Sequence, residues 1–198
     1  MRVFIAIEFE DQVKRYLKEV QDIVKTTTYN GNFTHYNNFH LTVKYIGEIY
    51  NGEYQDLCQC IDDICSNTAP FSIKIGDLGF FNKKSTNIVW VGITRGKEEF
   101  ARLHKITDTE TNRSGFPLEL RKFRPHVTIA KKVIFNNGAV AGGLPYFKEE
   151  IEVEKLTLFQ SHRVDGVLTY TPLYTQFLTG EEVWRPAKNV KTNLFVTQ

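Results

Sequence analysis

The pentapeptide Phe-His-Leu-Thr-Val at residues 39–43 returns as Pro-His-Val-Thr-Ile at residues 125–129. Each copy sets a His and a Thr two apart among β-branched and apolar residues. In a strand, residues i and i+2 project from the same face. His40 and Thr42 therefore stand side by side, and so do His126 and Thr128. The two histidines are 86 residues apart (126 − 40), a separation that fits a two-copy duplication rather than a solenoid of short repeats. A chain of 198 residues built this way forms one domain of two lobes, each giving an imidazole and a hydroxyl to a shared cleft.

Strand and helix signals alternate around these segments. Residues 2–9 alternate as a buried strand. Val13, Tyr16, Leu17, Val20, Ile23 and Val24 follow the i, i+3, i+4, i+7 rule of an amphipathic helix over 11–25. Asn30-Gly31 breaks that pattern, and residues 40–47 form the first motif strand, ended by Gly47. A second helix is predicted over 52–66, a strand over 71–80, a turn from Asn82 to Ser85, and a hairpin partner over 87–94. A third helix over 97–112 turns Phe100, Leu103 and Ile106 inward and stops at Gly115. The second motif strand spans 126–133. A Gly-rich stretch from Asn136 to Gly143 follows as the expected mobile loop, and strands over 149–159 and 167–178 close the fold. The expected class is α+β: a bilobal duplicated fold over residues 1–180, with two mostly antiparallel sheets, outer helices and a central cleft. The tail, 181–198, has no clear periodicity and is expected to be partly disordered.

A formal net charge of +2 is too small to argue for bulk nucleic-acid binding. Its distribution says more. Arg121, Lys122, Arg124, Lys131 and Lys132 crowd the second motif and make a basic rim suited to a phosphate; charge pattern alone suits a solvated edge equally well. Cys58, Cys60 and Cys65 lie on the second helix, beside the stripe of Leu57, Ile61 and Ile64. Odd in number and without a CxxC, they read as reduced thiols, which fits a cytoplasmic protein. The opening Met-Arg-Val-Phe-Ile-Ala-Ile runs into an acidic segment, with no signal peptide or membrane span. A monomer without a membrane partner is expected.

Two facing imidazoles suit acid/base chemistry near neutral pH. One removes a proton from an attacking water or hydroxyl while the other protonates a leaving oxygen, each contributing typically ~10²–10⁴ in rate. A Thr hydroxyl on the same face can hold a non-bridging oxygen, and two Thr can hold two. A phosphodiester or cyclic phosphate has that geometry, and stabilising its developing charge is an electrostatic task. By simple alternation Lys44 joins His40 and Thr42 at the cleft, while Arg124 and Lys131 flank the second pair.

Other chemistries find less support. A single His-x-Thr in a strand is usually structural; the pairing makes it a site. Two histidines fall short of the three or four protein ligands zinc takes. No Gly-rich phosphate loop precedes a helix, and there is no Gly-x-Ser-x-Gly elbow. No metal and no cofactor are expected. His35, His104 and His162 lack a Thr at the same offset and are assigned to the surface or to packing, with His162, at a strand end, a candidate to line the cleft.

With these residues in view, Phe39-His40-Leu41-Thr42-Val43-Lys44-Tyr45-Ile46-Gly47-Glu48 resembles the first signature of the LigT-like branch of the 2H phosphoesterases. Arg124-Pro125-His126-Val127-Thr128-Ile129-Ala130-Lys131 resembles the second. The opening Arg2–Ile7, Leu78-Gly79-Phe80-Phe81 before Val89-Trp90-Val91-Gly92, and Leu158-Phe159-Gln160-Ser161 are similar to family segments at the same places, so the likeness covers residues 1–178. The resemblance implies a pseudo-two-fold bilobal fold and metal-independent opening of an RNA 2′,3′-cyclic phosphate to a 2′-phosphomonoester. It further implies His126 as the base, His40 as the acid, and Thr42 and Thr128 on the phosphate oxygens. Two departures bear on substrate choice. Lys131 stands where many relatives carry Arg, and a Lys lacks the bidentate grip. Phe33 and Tyr36-Asn37-Asn38-Phe39 replace a more typical approach to the first motif. The expected partner is RNA with a 2′,3′-cyclic phosphate end, or a small cyclic nucleotide. A binding module that stacks bases on Tyr36, Phe39 and Tyr45, and 2′-5′ ligation by the same residues, are the competing expectations.

Overall fold

The computed structural model describes residues 1–136 and 144–181. The run of elements is β1 (Arg2–Glu8), α1 (Asp11–Thr26), β2 (Thr28–Phe33), a 3₁₀ turn (Tyr36–Asn38), β3 (His40–Glu48), α2 (Asn51–Ser66), β4 (Phe71–Lys83), β5 (Thr86–Arg95), α3 (Lys97–Arg113), β6 (His126–Phe135), β7 (Ile151–Val153), β8 (Lys155–Val164) and β9 (Val167–Phe177). Two antiparallel sheets result, one in the order β3-β1-β8-β9 and one in the order β2-β6-β5-β4-β7. The expected α+β class, with two sheets and outer helices, is the one observed. Most of the Gly-rich stretch (137–143) and of the tail (182–198), expected as a mobile loop and as partly disordered, lies outside the described residues.

The helices form where the 3.6-residue period predicts. In α1, Val13, Tyr16, Leu17, Val20, Gln21 and Val24 are buried along one stripe, with Asp11 in the first turn and Lys25 in the last, where the helix dipole favours them. At the start of α2 the Glu53 carboxylate accepts the Tyr50 backbone N–H at 2.7 Å, occupying a donor next to the open helix end. Leu57, Ile61 and Ile64 of α2 are fully buried, as are Phe100 and Leu103 of α3. Each such side chain contributes roughly 1.5–3 kcal/mol by leaving water.

The two halves of the chain are intermixed. The first sheet takes β3 and β1 from the first half, and β8 and β9 from the second; the second sheet takes β2, β4 and β5 from the first half, and β6 and β7 from the second. The helices are exchanged too. α1 follows β1 of the first sheet but lies on β6 and β2 of the second, while α3 follows β5 of the second sheet but lies mainly on β3 and α2, with a smaller contact to β4. One continuous apolar core runs through both lobes.

Two strand boundaries differ from the sequence expectation. Residues 149–159, expected as one strand, split at Glu154: β7 pairs with β4 in one sheet, and β8 pairs with β1 and β9 in the other. The residues in the main core change phase at the split, from Ile151 and Val153 to Leu156 and Leu158. β8 then continues to Val164 and turns back through Asp165-Gly166, both at positive φ, the geometry of a two-residue hairpin whose twist matches its strands. β2, through the Asn30-Gly31 break, is an edge strand on β6 with two register shifts; its mostly solvent-facing residues leave no alternation to read.

Candidate active site

Both motif strands carry the same irregularity just past the Thr. Against β1, Thr42 faces Ala6 and Lys44 faces Ile5, so Val43 has no partner. Against β5, Thr128 faces Trp90 and Ala130 faces Val89, so Ile129 has none. A bulge of this kind inserts one residue and inverts the parity of those that come directly after it. Lys44 and Ala130 therefore turn into the core, where both are buried. Tyr45, 53% exposed, and Lys131 take the cleft-side places instead. The expectation that the Lys44 ammonium points into the cleft is thus corrected: it lies 2.7 Å from Asp108 Oδ1 and the side chain is 3% exposed.

The carbonyl of each skipped residue accepts a side chain of the helix exchanged from the other half. His104 Nδ1 on α3 donates to the Val43 carbonyl at 2.8 Å. Gln21 Nε2 on α1 donates to the Ile129 carbonyl at 2.8 Å, which also accepts the Thr34 backbone N–H at 2.9 Å. The shape of each motif strand is thus fixed from behind.

His40 and His126 are held alike. Nδ1 of His40 donates to the Asn38 carbonyl at 2.7 Å, and Nδ1 of His126 to the Arg124 carbonyl at 2.6 Å. A carbonyl only accepts, so Nδ1 carries the proton and Nε2 is left to act. In the neutral His40 ring, Nε2 accepts from the Thr42 hydroxyl at 3.0 Å. Aromatic rings enclose both imidazoles. His40 packs on Phe4 (centroids 4.8 Å apart) and the edge of Tyr170 (5.1 Å); His126 packs on Phe81 (5.0 Å) and Trp90 (6.0 Å). The Trp90 ring lies so close over Gly79 that a Cβ there would stand 2.2 Å from it, so any side chain at 79 would displace a ring that contacts His126.

This enclosure sets the protonation states. Burial pushes the His40 pKa down to about 4; its hydrogen bond to Asn38 opposes the shift, and the charges of Lys131 and His126 add to it. Burial also lowers the pKa of His126, with Lys131 pushing the same way. Both rings are therefore neutral at pH 7 in the empty cleft, and Lys131 stands within electrostatic reach of both. A bound anion supplies the missing counter-charge and raises both values.

Beside His126 opens a cavity of about 430 Å³ whose lining includes Thr42, Lys44, Tyr45, Phe81, His104, Phe123 and Arg124. Its rim carries Lys122 and Arg121, the latter paired with Glu119 at 2.9 Å. Tyr45 and Arg124 thus stand where the sequence places them. Tyr36 and Phe39 do not. Tyr36 donates to Asp11 Oδ1 at 2.5 Å, which ties the 3₁₀ turn to α1. Phe39 is 1% exposed in the core, so it offers no face for a base. His162 is likewise engaged elsewhere, with Nε2 2.8 Å from Thr171 Oγ1. The enclosing rings (Phe4, Phe81, Trp90 and Tyr170) and the cavity residues His104 and Phe123 escape sequence reasoning; Phe81 and Trp90 carry the one usable signal, an aromatic pair on strands flanking the hairpin turn. Among the described residues no three His, Cys, Asp or Glu side chains gather as metal ligands, and no helix is long and apolar enough to cross a membrane.

A family model described as the 2′-5′ RNA ligase superfamily matches residues 9–165. A protein of Methanothermobacter thermautotrophicus named RNA 2′,3′-cyclic phosphodiesterase is 27% identical over 132 residues, 66% of this chain and 71% of that protein. The fold is similar to a solved structure from Thermus thermophilus, with a TM-score of 0.76 and 24% identity over 91% of this chain and 100% of the other. It is also similar to Escherichia coli LigT, with a TM-score of 0.72 and 22% identity over 90% and 97% of the two chains.

Proposed function

The chain belongs to the 2′-5′ RNA ligase superfamily, and from that premise we propose that it is a hydrolase opening 2′,3′-cyclic phosphates at RNA ends to 2′-phosphomonoesters. The observation that carries this is the matched pair of imidazoles, each with Nδ1 fixed on a backbone carbonyl, with the Thr42 hydroxyl on Nε2 of His40 and Thr128 two residues on from His126 in its strand. The name of the Methanothermobacter relative supports the same activity.

In this reading Thr42 and Thr128 hold the two non-bridging oxygens, with Lys131 offsetting their charge. One Nε2 takes a proton from water as its oxygen bonds to phosphorus. The P–O3′ bond breaks in line, and the other Nε2–H gives its proton to O3′. The 2′-phosphate leaves, and the two rings restore their states with solvent. The family resemblance makes His126 the base and His40 the acid. Because burial makes His40 hard to protonate in the empty cleft, its acid form arises with the phosphate bound. The same groups would join a cyclic phosphate to a 5′ hydroxyl if that hydroxyl took the place of water as the nucleophile, with the same P–O3′ bond breaking.

The test is to incubate the protein, with EDTA, with a short RNA ending in a 2′,3′-cyclic phosphate, across pH 5–8. A 2′-phosphate product is expected without added metal. kcat/KM reports the free enzyme, whose two pKa values both lie below the ordinary 6.5, so it should peak on the acid side of pH 6.5. The kcat profile, which reports the complex, should lie at higher pH. Dependence on added metal, or a kcat/KM optimum above pH 7, would overturn the mechanism; a joined product at high RNA-end concentration would assign ligation.

A further inference from the structure

From the geometry around Lys44 we infer that the buried Lys44–Asp108 pair is a positioning device that holds the wall of the substrate cavity and touches no substrate itself. The inference rests on the hydrolase reading for its activity readout. All three ammonium protons of Lys44 are spent inside the protein. Nζ donates to Asp108 Oδ1 at 2.7 Å, Thr111 Oγ1 at 2.8 Å and the Pro117 carbonyl at 2.9 Å, and the side chain is 3% exposed. Asp108 Oδ1 also accepts the Glu119 backbone N–H at 3.0 Å. The pair thus ties three things together: β3 two residues after Thr42, the exchanged helix α3, and the segment leading from α3 to His126.

That segment is the cavity wall. It has no regular secondary structure between Gly115 and His126, and its shape comes from side-chain anchors. Pro117 and Glu119 are fixed by the pair. The Glu119 carboxylate then accepts the Arg121 N–H and Nε, both at 3.0 Å. Phe123 lies face to face on His104, with ring centroids 3.7 Å apart and planes within 4°. His104, Asp108 and Thr111 stand at i, i+4 and i+7, one stripe of α3. The stripe meets the bulge twice: His104 takes the Val43 carbonyl, and Asp108 and Thr111 take the Lys44 ammonium that the bulge turned inward. The equivalent position in the second motif strand, Ala130, carries no charge, so the device belongs to the cavity side alone.

The test compares wild type with Lys44→Met/Asp108→Leu, which removes both charges together and so leaves neither one buried alone, and with Lys44→Met/Asp108→Asn, which keeps an acceptor for the Glu119 N–H. kcat and KM are measured on a short RNA with a 2′,3′-cyclic phosphate end, and amide hydrogen exchange is followed over residues 117–124. The Met/Leu pair should raise KM about tenfold with kcat within about threefold, and should speed exchange in the wall; the Met/Asn pair should recover part of both. Faster exchange with unchanged KM would show that the wall does not hold substrate. Loss of kcat with unchanged exchange would place Lys44 at the reacting phosphate. Either result overturns the inference. If wild type turns over no cyclic phosphate, the hydrolase reading fails by itself, and the device is then judged by wall exchange together with binding of the same RNA. Equal binding by all three proteins would overturn it.

Discussion

His126→Ala should lower kcat on a 2′,3′-cyclic phosphate by about 10²–10⁴, with the folded structure kept. In the proposed mechanism each imidazole moves one proton in the transition state, which is worth roughly 3–5 kcal/mol of barrier. His40→Ala should cost a similar factor. The double variant should lose little more than either single, because a proton-transfer pair acts as one unit. Far-ultraviolet circular dichroism and a melting curve establish folding, and single-turnover rates give the loss. Retention of full activity by both single variants would remove the histidines from the chemistry. Acid stability gives an independent readout. The folded state holds the His40 proton more weakly than the unfolded chain does, so stability is complete above about pH 6.5 and is lost as pH falls toward 4. Linkage makes the loss about 1.4 kcal/mol per pH unit, roughly 3 kcal/mol over the range. His40→Ala should flatten that slope.

The largest stability effect should come from Lys44→Met alone. It strands the Asp108 carboxylate, whose side chain is 15% exposed, with the Glu119 N–H as its remaining anchor. Breaking one partner out of a buried pair typically costs about 3–5 kcal/mol, whereas exchanging both for apolar groups is often neutral. The single variant should therefore melt about 10 °C or more below wild type, and Lys44→Met/Asp108→Leu should recover most of the difference. Thermal and denaturant melts at pH 7 decide it. A single variant that melts with wild type would mean that Asp108 escapes its charge by taking a proton or reaching water.

The parts of this fold legible in the sequence are those written locally. The stripe of Val13, Leu17, Val20 and Val24 marks α1, and a His and a Thr two apart in a β-branched run mark each motif strand. Lys44 shows where local reading fails. Alternation puts it beside His40 and Thr42, but the pairing of β3 with β1 skips Val43, and that skip depends on a partner almost forty residues away. Phe39 fails for a similar reason: an aromatic next to a motif looks like a stacking face until the core claims it. The cavity was illegible because its wall, residues 116–125, has no period of its own and is shaped by α3 and Lys44. The break at Glu154 was readable, as a change of phase in an otherwise good strand pattern.

The exchange of strands and helices between the two halves of the chain has a consequence for how the molecule comes apart. Neither half can cover its own sheet, so each is the other's solvent shield. In topology the molecule is a domain-swapped pair tethered end to end. Neither half of the chain can leave without dismantling both sheets, since each gives strands to both, so melting should be a single cooperative transition with no half-folded species. The spacing of the two imidazoles then persists as long as the fold does.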